Sequence, residues 1–149
     1  QLVAIVGAYL MAFLSKNYGN FQVLIGVVIF WIGICIAGYY MKTEYHFYFL
    51  ALGVGLVMGG IQSLSRSTYS KLMPATTDTA SFFSFYDVAE KVAIVIGLSS
   101  FGYIEELTGS MRNSVLSLVV FFTIGLLGLI SALNKQKIDN RLLKVANNI

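Results

Sequence analysis

The sequence predicts an all-α fold, a polytopic transmembrane helix bundle. Three observations carry this. Residues 21–41, 47–64 and 114–133 are apolar runs, each close to the ~20 residues a helix needs to cross a bilayer. Only 11% of the 149 residues are charged and 57% are hydrophobic, against a usual charged share of ~25%. The gap between the first two runs, residues 42–46, is short and polar, so those two spans must run antiparallel.

The first span covers about residues 2–14 and is too short to cross completely, so it reads as truncated and the chain as part of a larger membrane protein. Residues 15–20 form a tight polar turn, with Gly19 suited to a helix C-cap. The second span takes residues 21–41, and residues 42–46 are the next turn. The third occupies about residues 47–66. A polar helical extension carries it towards Met73, where Pro74, which cannot continue a helix, stops it. Residues 76–79 are rich in N-cap types and open the fourth span, about residues 80–105. The uncharged stretch 92–104 is too short to cross alone, so this span must include Tyr86, Asp87, Glu90 and Lys91. Thr108, Gly109 and Ser110 close it. The fifth span is about residues 114–133. The prediction is therefore a bundle over 1–133, with about four full spans plus the truncated first. A basic tail, 134–149, follows as a short amphipathic surface helix through Ile138, Leu142 and Val145.

Charge sets the orientation. Lys16, Arg66, Lys71 and the tail residues Lys135, Lys137, Arg141 and Lys144 fall on one side. The other holds Lys42 and Arg112 with Glu44, Glu105 and Glu106. Short loops rich in Lys and Arg stay inside, so the C-terminus is expected in the cytoplasm. The net charge of +3 forms no stripe of the kind that binds nucleic acid. Cys35 is the only cysteine and His46 the only histidine. One thiol cannot form an internal disulfide, and His46 has no second histidine beside it. No nucleophile–base set and no phosphate loop is present. The sequence thus calls for no cofactor or metal, and an intramembrane enzyme fits it poorly.

Two groups of residues are candidates for function. Asp87, Glu90 and Lys91 share one helical face at i, i+3 and i+4. Asp87 lies ~10 Å into a helix that starts near residue 80, and a lone charge at the bilayer centre costs ~2.5–3.5 kcal/mol. Such groups survive by pairing or by facing water. Arg66 on the third span is a partner across helices for Asp87 or Glu90. Because Asp87 and Lys91 have the favourable acid-first order, the expectation adopted is an ion pair between those two, with Arg66 close to Glu90. The cluster is either a solvated cytoplasmic rim or a gate and proton or substrate site. On the third span, Ala51, Gly55, Gly59, Gln62, Arg66 and Tyr69 share a face. Gly55 and Gly59 are spaced for close helix packing, and Gln62 and Arg66 carry the stripe into polar territory.

Residues 59–67 (GGIQSLSRS), Leu72-Met73-Pro74, residues 82–91 (FFSFYDVAEK), Phe101-Gly102 and residues 108–112 (TGSMR) together form a pattern. It resembles the C-terminal part of the major facilitator superfamily, in its vacuole-effluxer-like branch, the autophagy-related protein twenty-two-like permeases. The turn at residues 14–19 resembles that superfamily's short cytoplasmic motif, but Asn17 stands where a basic residue is common. The resemblance implies that the five spans are helices eight to twelve of a twelve-helix carrier, the C-terminal half of a major facilitator fold. It implies a secondary active transporter in a bacterial plasma membrane, working with a missing N-terminal half by alternating access. The implied cargo is a small solute, an amino acid by analogy with the fungal members, with proton coupling. Gln62, Arg66, Tyr86, Asp87, Glu90 and Lys91 become the pore-facing candidates. The competing class is a non-transporting membrane scaffold or assembly subunit, which has no need of acids within a span.

Overall fold

The computed structural model describes residues 2–74 and 77–146, with side chains described as far as residue 138. Five helices run in order: α1 (Leu2–Tyr18), α2 (Asn20–Tyr39), α3 (Glu44–Leu72), α4 (Thr79–Thr108) and α5 (Met111–Ala146). Three are long and apolar enough to cross a membrane: α2, α3 and residues Met111–Ile138 of α5. α4 has the length, at 30 residues or ~45 Å of rise. Its charged residues keep it outside that apolar class.

The helix ends follow local chemistry. Gly19 is the single residue between α1 and α2. Its φ of 89° is a backbone state that side chains with a Cβ rarely adopt. It ends α1 by donating its N–H to the Ser15 carbonyl at 2.9 Å, and it starts α2 by accepting from the Val23 N–H at 3.3 Å. α3 stops at Leu72, and the next residue, Met73, is extended, as the residue before a proline prefers. The Asp78 side chain caps α4 by accepting from the Ser81 N–H at 3.3 Å. Gly109, at φ 62°, closes α4 in the left-handed conformation.

One expectation needs correcting. The basic segment after residue 133 is not a separate surface helix, because α5 continues without a break to Ala146. Residues 129–146 contain neither Gly nor Pro, so nothing interrupts the propagation of the helix. The side chains of Arg141, Leu142, Lys144 and Val145 lie outside the described residues, and so does Thr76.

The core is small and sits among the first three helices. Val23, Leu24, Val27, Val57 and Leu64 are buried together, with Met11, Leu14, Trp31, Ile61 and Leu129 packed on them. α3 packs on α1 and α2, and α5 packs on α2 and α4. No residue of α4 is buried. Leu98 (69% exposed) and Val95 (62%) stand open, as side chains do that face lipid or further helices. One end of the bundle gathers the α1–α2 turn, the end of α3 and Leu133 and Gln136 of α5 around a shared cleft. At the other end, Arg112 donates to the Met41 carbonyl at 2.9 Å and ties α5 to the end of α2.

α1 and α3 touch backbone to backbone. A Cβ at Gly7 would overlap the Leu56 carbonyl, one at Gly59 the Ala4 carbonyl, and one at Gly60 the Met11 side chain. Gly55 differs: its nearest neighbour is the Val3 side chain at 3.4 Å, an ordinary contact. Gly59→Ala should therefore destabilise by roughly 1–3 kcal/mol, the usual cost of overpacking, while Gly55→Ala should be tolerated. Thermal melting of the detergent-solubilised full-length protein would measure both. Equal melting temperatures would remove the close crossing as a determinant of stability.

Candidate functional site

α3 and α4 follow each other in the chain, yet no Cα of one lies within 8 Å of a Cα of the other among the described residues. Side-chain contacts, one of them to a backbone carbonyl, bridge them. Ser65 Oγ and Tyr86 Oη lie 2.6 Å apart. Arg66 donates from one Nη to both oxygens of Asp87, at 2.9 and 3.3 Å. Tyr69 donates its hydroxyl proton to the Phe82 carbonyl at 3.0 Å. The Tyr69 ring lies against Phe83 and Tyr86, with centroids 6.0 and 5.0 Å away. The Arg66 guanidinium sits 5.7 Å from the centre of the Phe83 ring, a geometry in which the ring face attracts a cation.

The helical periods explain the alignment. Residues 62, 65, 66 and 69 recur at three and four along α3, and residues 82, 83, 86, 87, 90 and 91 do so along α4, so each set forms one face. The Asp78 cap fixes where α4 begins and hence which face it turns to α3. Between the two helices lies a cleft of about 440 Å³, lined by Gln62, Arg66, Tyr86, Asp87, Glu90 and Lys91. All six sequence candidates therefore come together in one cavity.

Their pairing is not the expected one. Asp87 is held by Arg66 on the neighbouring helix and not by Lys91 on its own. A guanidinium is planar and can face both carboxylate oxygens at once, whereas an ammonium acts as a point charge. The Phe83 ring also orients Arg66. Glu90 and Lys91 line the cleft, and neither makes a hydrogen bond or ion pair among the described residues. Arg66 thus serves Asp87 and not Glu90. The Arg66 and Asp87 side chains are 54% and 49% exposed, and an exposed pair contributes only ~0–1 kcal/mol. The lining holds two acids and two bases, so its formal charge cancels. Ser65 joins the bridge without having been a sequence candidate. Its position one residue before Arg66 was the available signal.

A larger groove of about 570 Å³ between α1, α2 and α3 is lined mostly by apolar side chains, with Tyr18 and Gln22 its only polar ones and no charge. It offers nothing to recognise a polar solute. Among the described residues, no group of three or more His, Cys, Asp or Glu could hold a metal ion.

Comparison with known proteins supplies the family. A family model described as "Vacuole effluxer Atg22 like" matches residues 1–141. The uncharacterized MFS-type transporter YxiO of Bacillus subtilis is 35% identical over 127 residues, covering 85% of this chain and 29% of that protein. Autophagy-related protein 22 of Cryptococcus neoformans is 36% identical over 84 residues, 56% of this chain and 14% of its own length. The protein of that name from Eremothecium gossypii is 32% identical over 97 residues, covering 65% and 19%. The chain thus spans less than a third of the length of these curated relatives. No solved structure matches it significantly. With long apolar helices and a family match along nearly its whole length, the chain belongs to the Atg22-like vacuole effluxer family of major-facilitator-type membrane transporters.

Proposed function

We propose that the chain supplies four full spans and part of a fifth to the C-terminal half of a secondary active transporter, and that the α3–α4 cleft is part of its solute path. The single observation behind this is the cleft itself. Six polar residues line one cavity between two helices that side-chain contacts hold together. Such a gap can open and close without disturbing a packed core. Carriers of this kind rock two halves about a site near the bilayer midplane, and intramembrane ionisable groups mark solute or ion routes. A scaffold would have no use for four charges there.

The charge-balanced lining suits a small zwitterion, so the substrate we favour is an amino acid. Arg66 or Lys91 would meet its carboxylate and Asp87 or Glu90 its ammonium. Glu90, an acid without a partner among the described residues, is our candidate for carrying the coupled proton. No cofactor is required. Flux of labelled amino acids into vesicles holding the full-length protein, with and without a proton gradient, tests this reading. The 149-residue chain alone should give no flux, because one half leaves no enclosed path. Solute-dependent flux by the chain alone, or none by the full-length protein, would count against it.

On this reading the membrane is a bacterial plasma membrane and the end holding Lys16, Lys71 and Lys137 faces the cytoplasm. An impermeant thiol reagent on intact cells should label Glu44→Cys and spare Lys137→Cys until the cells are opened. The reverse pattern would invert the topology.

A further inference from the structure

A second polar pocket lies away from the cleft, between the ends of α1 and α3. It measures about 350 Å³ and is lined by Ala12, Ser15, Lys16, Ser63, Leu64, Ser67 and Lys71. Two ammonium groups face it and no carboxylate does. The pocket is organised by Asn20, a polar residue only 9% exposed, which Gly19 places at the very start of α2. The Asn20 carbonyl oxygen accepts from Ser15 Oγ and from Lys71 Nζ, the latter at 2.9 Å. Its amide nitrogen donates to Ser67 Oγ at 3.3 Å.

This network sets the direction of what remains. Ser67 accepts from Asn20, so its own proton is free to donate into the pocket. Lys71 is pinned by one of its three N–H groups and keeps two. Lys16 makes no hydrogen bond or ion pair among the described residues. Ser63 has spent its proton on the Gly60 carbonyl at 3.1 Å and is no donor. The pocket therefore offers two cations and an oriented hydroxyl to one anion. A carboxylate and the phosphodiester of a phospholipid each present two charged oxygens with about four acceptor sites, enough for three donors, so the setting of the pocket decides between them. Basic pockets between membrane helices at the cytoplasmic face suit anionic lipid headgroups, and this end is the one the lysine distribution puts there.

We propose that the Lys16–Ser67–Lys71 pocket binds a phosphate group, presented by the headgroup of an anionic phospholipid of the cytoplasmic leaflet. The proposal depends on the membrane orientation and not on what the α3–α4 cleft carries.

The test is the melting temperature of the full-length protein in neutral detergent. It is titrated with dihexanoyl phosphatidylglycerol, with the phosphatidylcholine analogue, and with inorganic phosphate. The anionic lipid should raise the melting temperature saturably and the choline lipid should not. Lys16→Gln should weaken half-saturation by roughly fivefold to tenfold, the scale of one lysine–headgroup attraction. That change should move the unliganded melting temperature little, since Lys16 is exposed and makes no hydrogen bond or ion pair among the described residues. Lys135→Gln, a lysine on α5 outside the pocket, should leave half-saturation unchanged. Saturation by phosphatidylglycerol alone supports the lipid as source. Saturation by inorganic phosphate at the same concentration supports the phosphate site and replaces lipid with the free ion. No saturable shift with either overturns the proposal. Equal weakening by Lys16→Gln and Lys135→Gln also overturns it, because diffuse surface charge would then suffice.

Discussion

Arg66→Gln and Asp87→Asn, made separately in the full-length transporter, are each expected to lose most solute flux, and the double variant to recover part of it. The argument is about stranded charge. In the open cleft both side chains are half exposed, so the pair adds little to stability. On the proposed reading, the carrier also closes this gap around its cargo. A lone charge at membrane depth then costs ~2.5–3.5 kcal/mol, which is roughly a hundredfold in the population of the closed state. Removing both partners removes that penalty and leaves only lost recognition. The structure adds a comparison that the sequence could not supply. Asp87 pairs with Arg66 and not with Lys91, so a double-mutant cycle should show strong coupling for Asp87 with Arg66 and near-additivity for Asp87 with Lys91. Initial rates of flux in vesicles, corrected for the amount of protein inserted, provide the readout. Normal rates in both single variants would reduce the cluster to a solvated rim. A double variant worse than either single one would mean that the two charges act independently.

That contrast between Arg66 and Lys91 also marks what could be read from the sequence. The helices were legible because an apolar run and a polar gap are properties of composition along one segment. α4 was legible for the opposite reason: its apolar stretch was too short, so its charges had to be drawn into the helix. The six cleft residues could be found because each group sits on one face of its own helix. Which group meets which depends on how two helices lie across a gap, and no single-helix pattern holds that information. The acid-first spacing of Asp87 and Lys91 pointed to a local pair, and a better-shaped partner on α3 won. The same limit hid the crossing of α1 with α3, where Gly7 and Gly60 matter beside Gly59 and no spacing rule links them. It also hid Asn20, whose partners lie on both α1 and α3. The end of α5 failed differently. A change from apolar to basic residues suggests a boundary, but composition alone does not stop a helix that lacks Gly and Pro.

Glu90→Gln should abolish accumulation of solute driven by a proton gradient while leaving exchange of solute across the membrane largely intact. Glu90 lines the cleft beside the Arg66–Asp87 bridge and has no partner of its own among the described residues. It is also deeper than Asp87, about 17 Å along α4 from its first residue at 1.5 Å per residue. Asp87 is committed to Arg66, whereas Glu90 lines the cleft with no partner among the described residues and, on the proposed reading, would be enclosed together with the solute when the cleft closes. That ties proton binding to the same movement that encloses the solute. Gln preserves shape and hydrogen bonding and cannot titrate, so it should fix the carrier in a state that still exchanges solute and no longer responds to the gradient. Asp87→Asn should behave otherwise, depressing exchange and accumulation together, since it breaks a bridge between helices. Counterflow and gradient-driven uptake, measured on the same vesicles, separate the two outcomes. If Glu90→Gln accumulates solute as well as the parent does, the proton travels elsewhere. If it loses counterflow as completely as Asp87→Asn does, Glu90 belongs to the solute contact and not to the coupling.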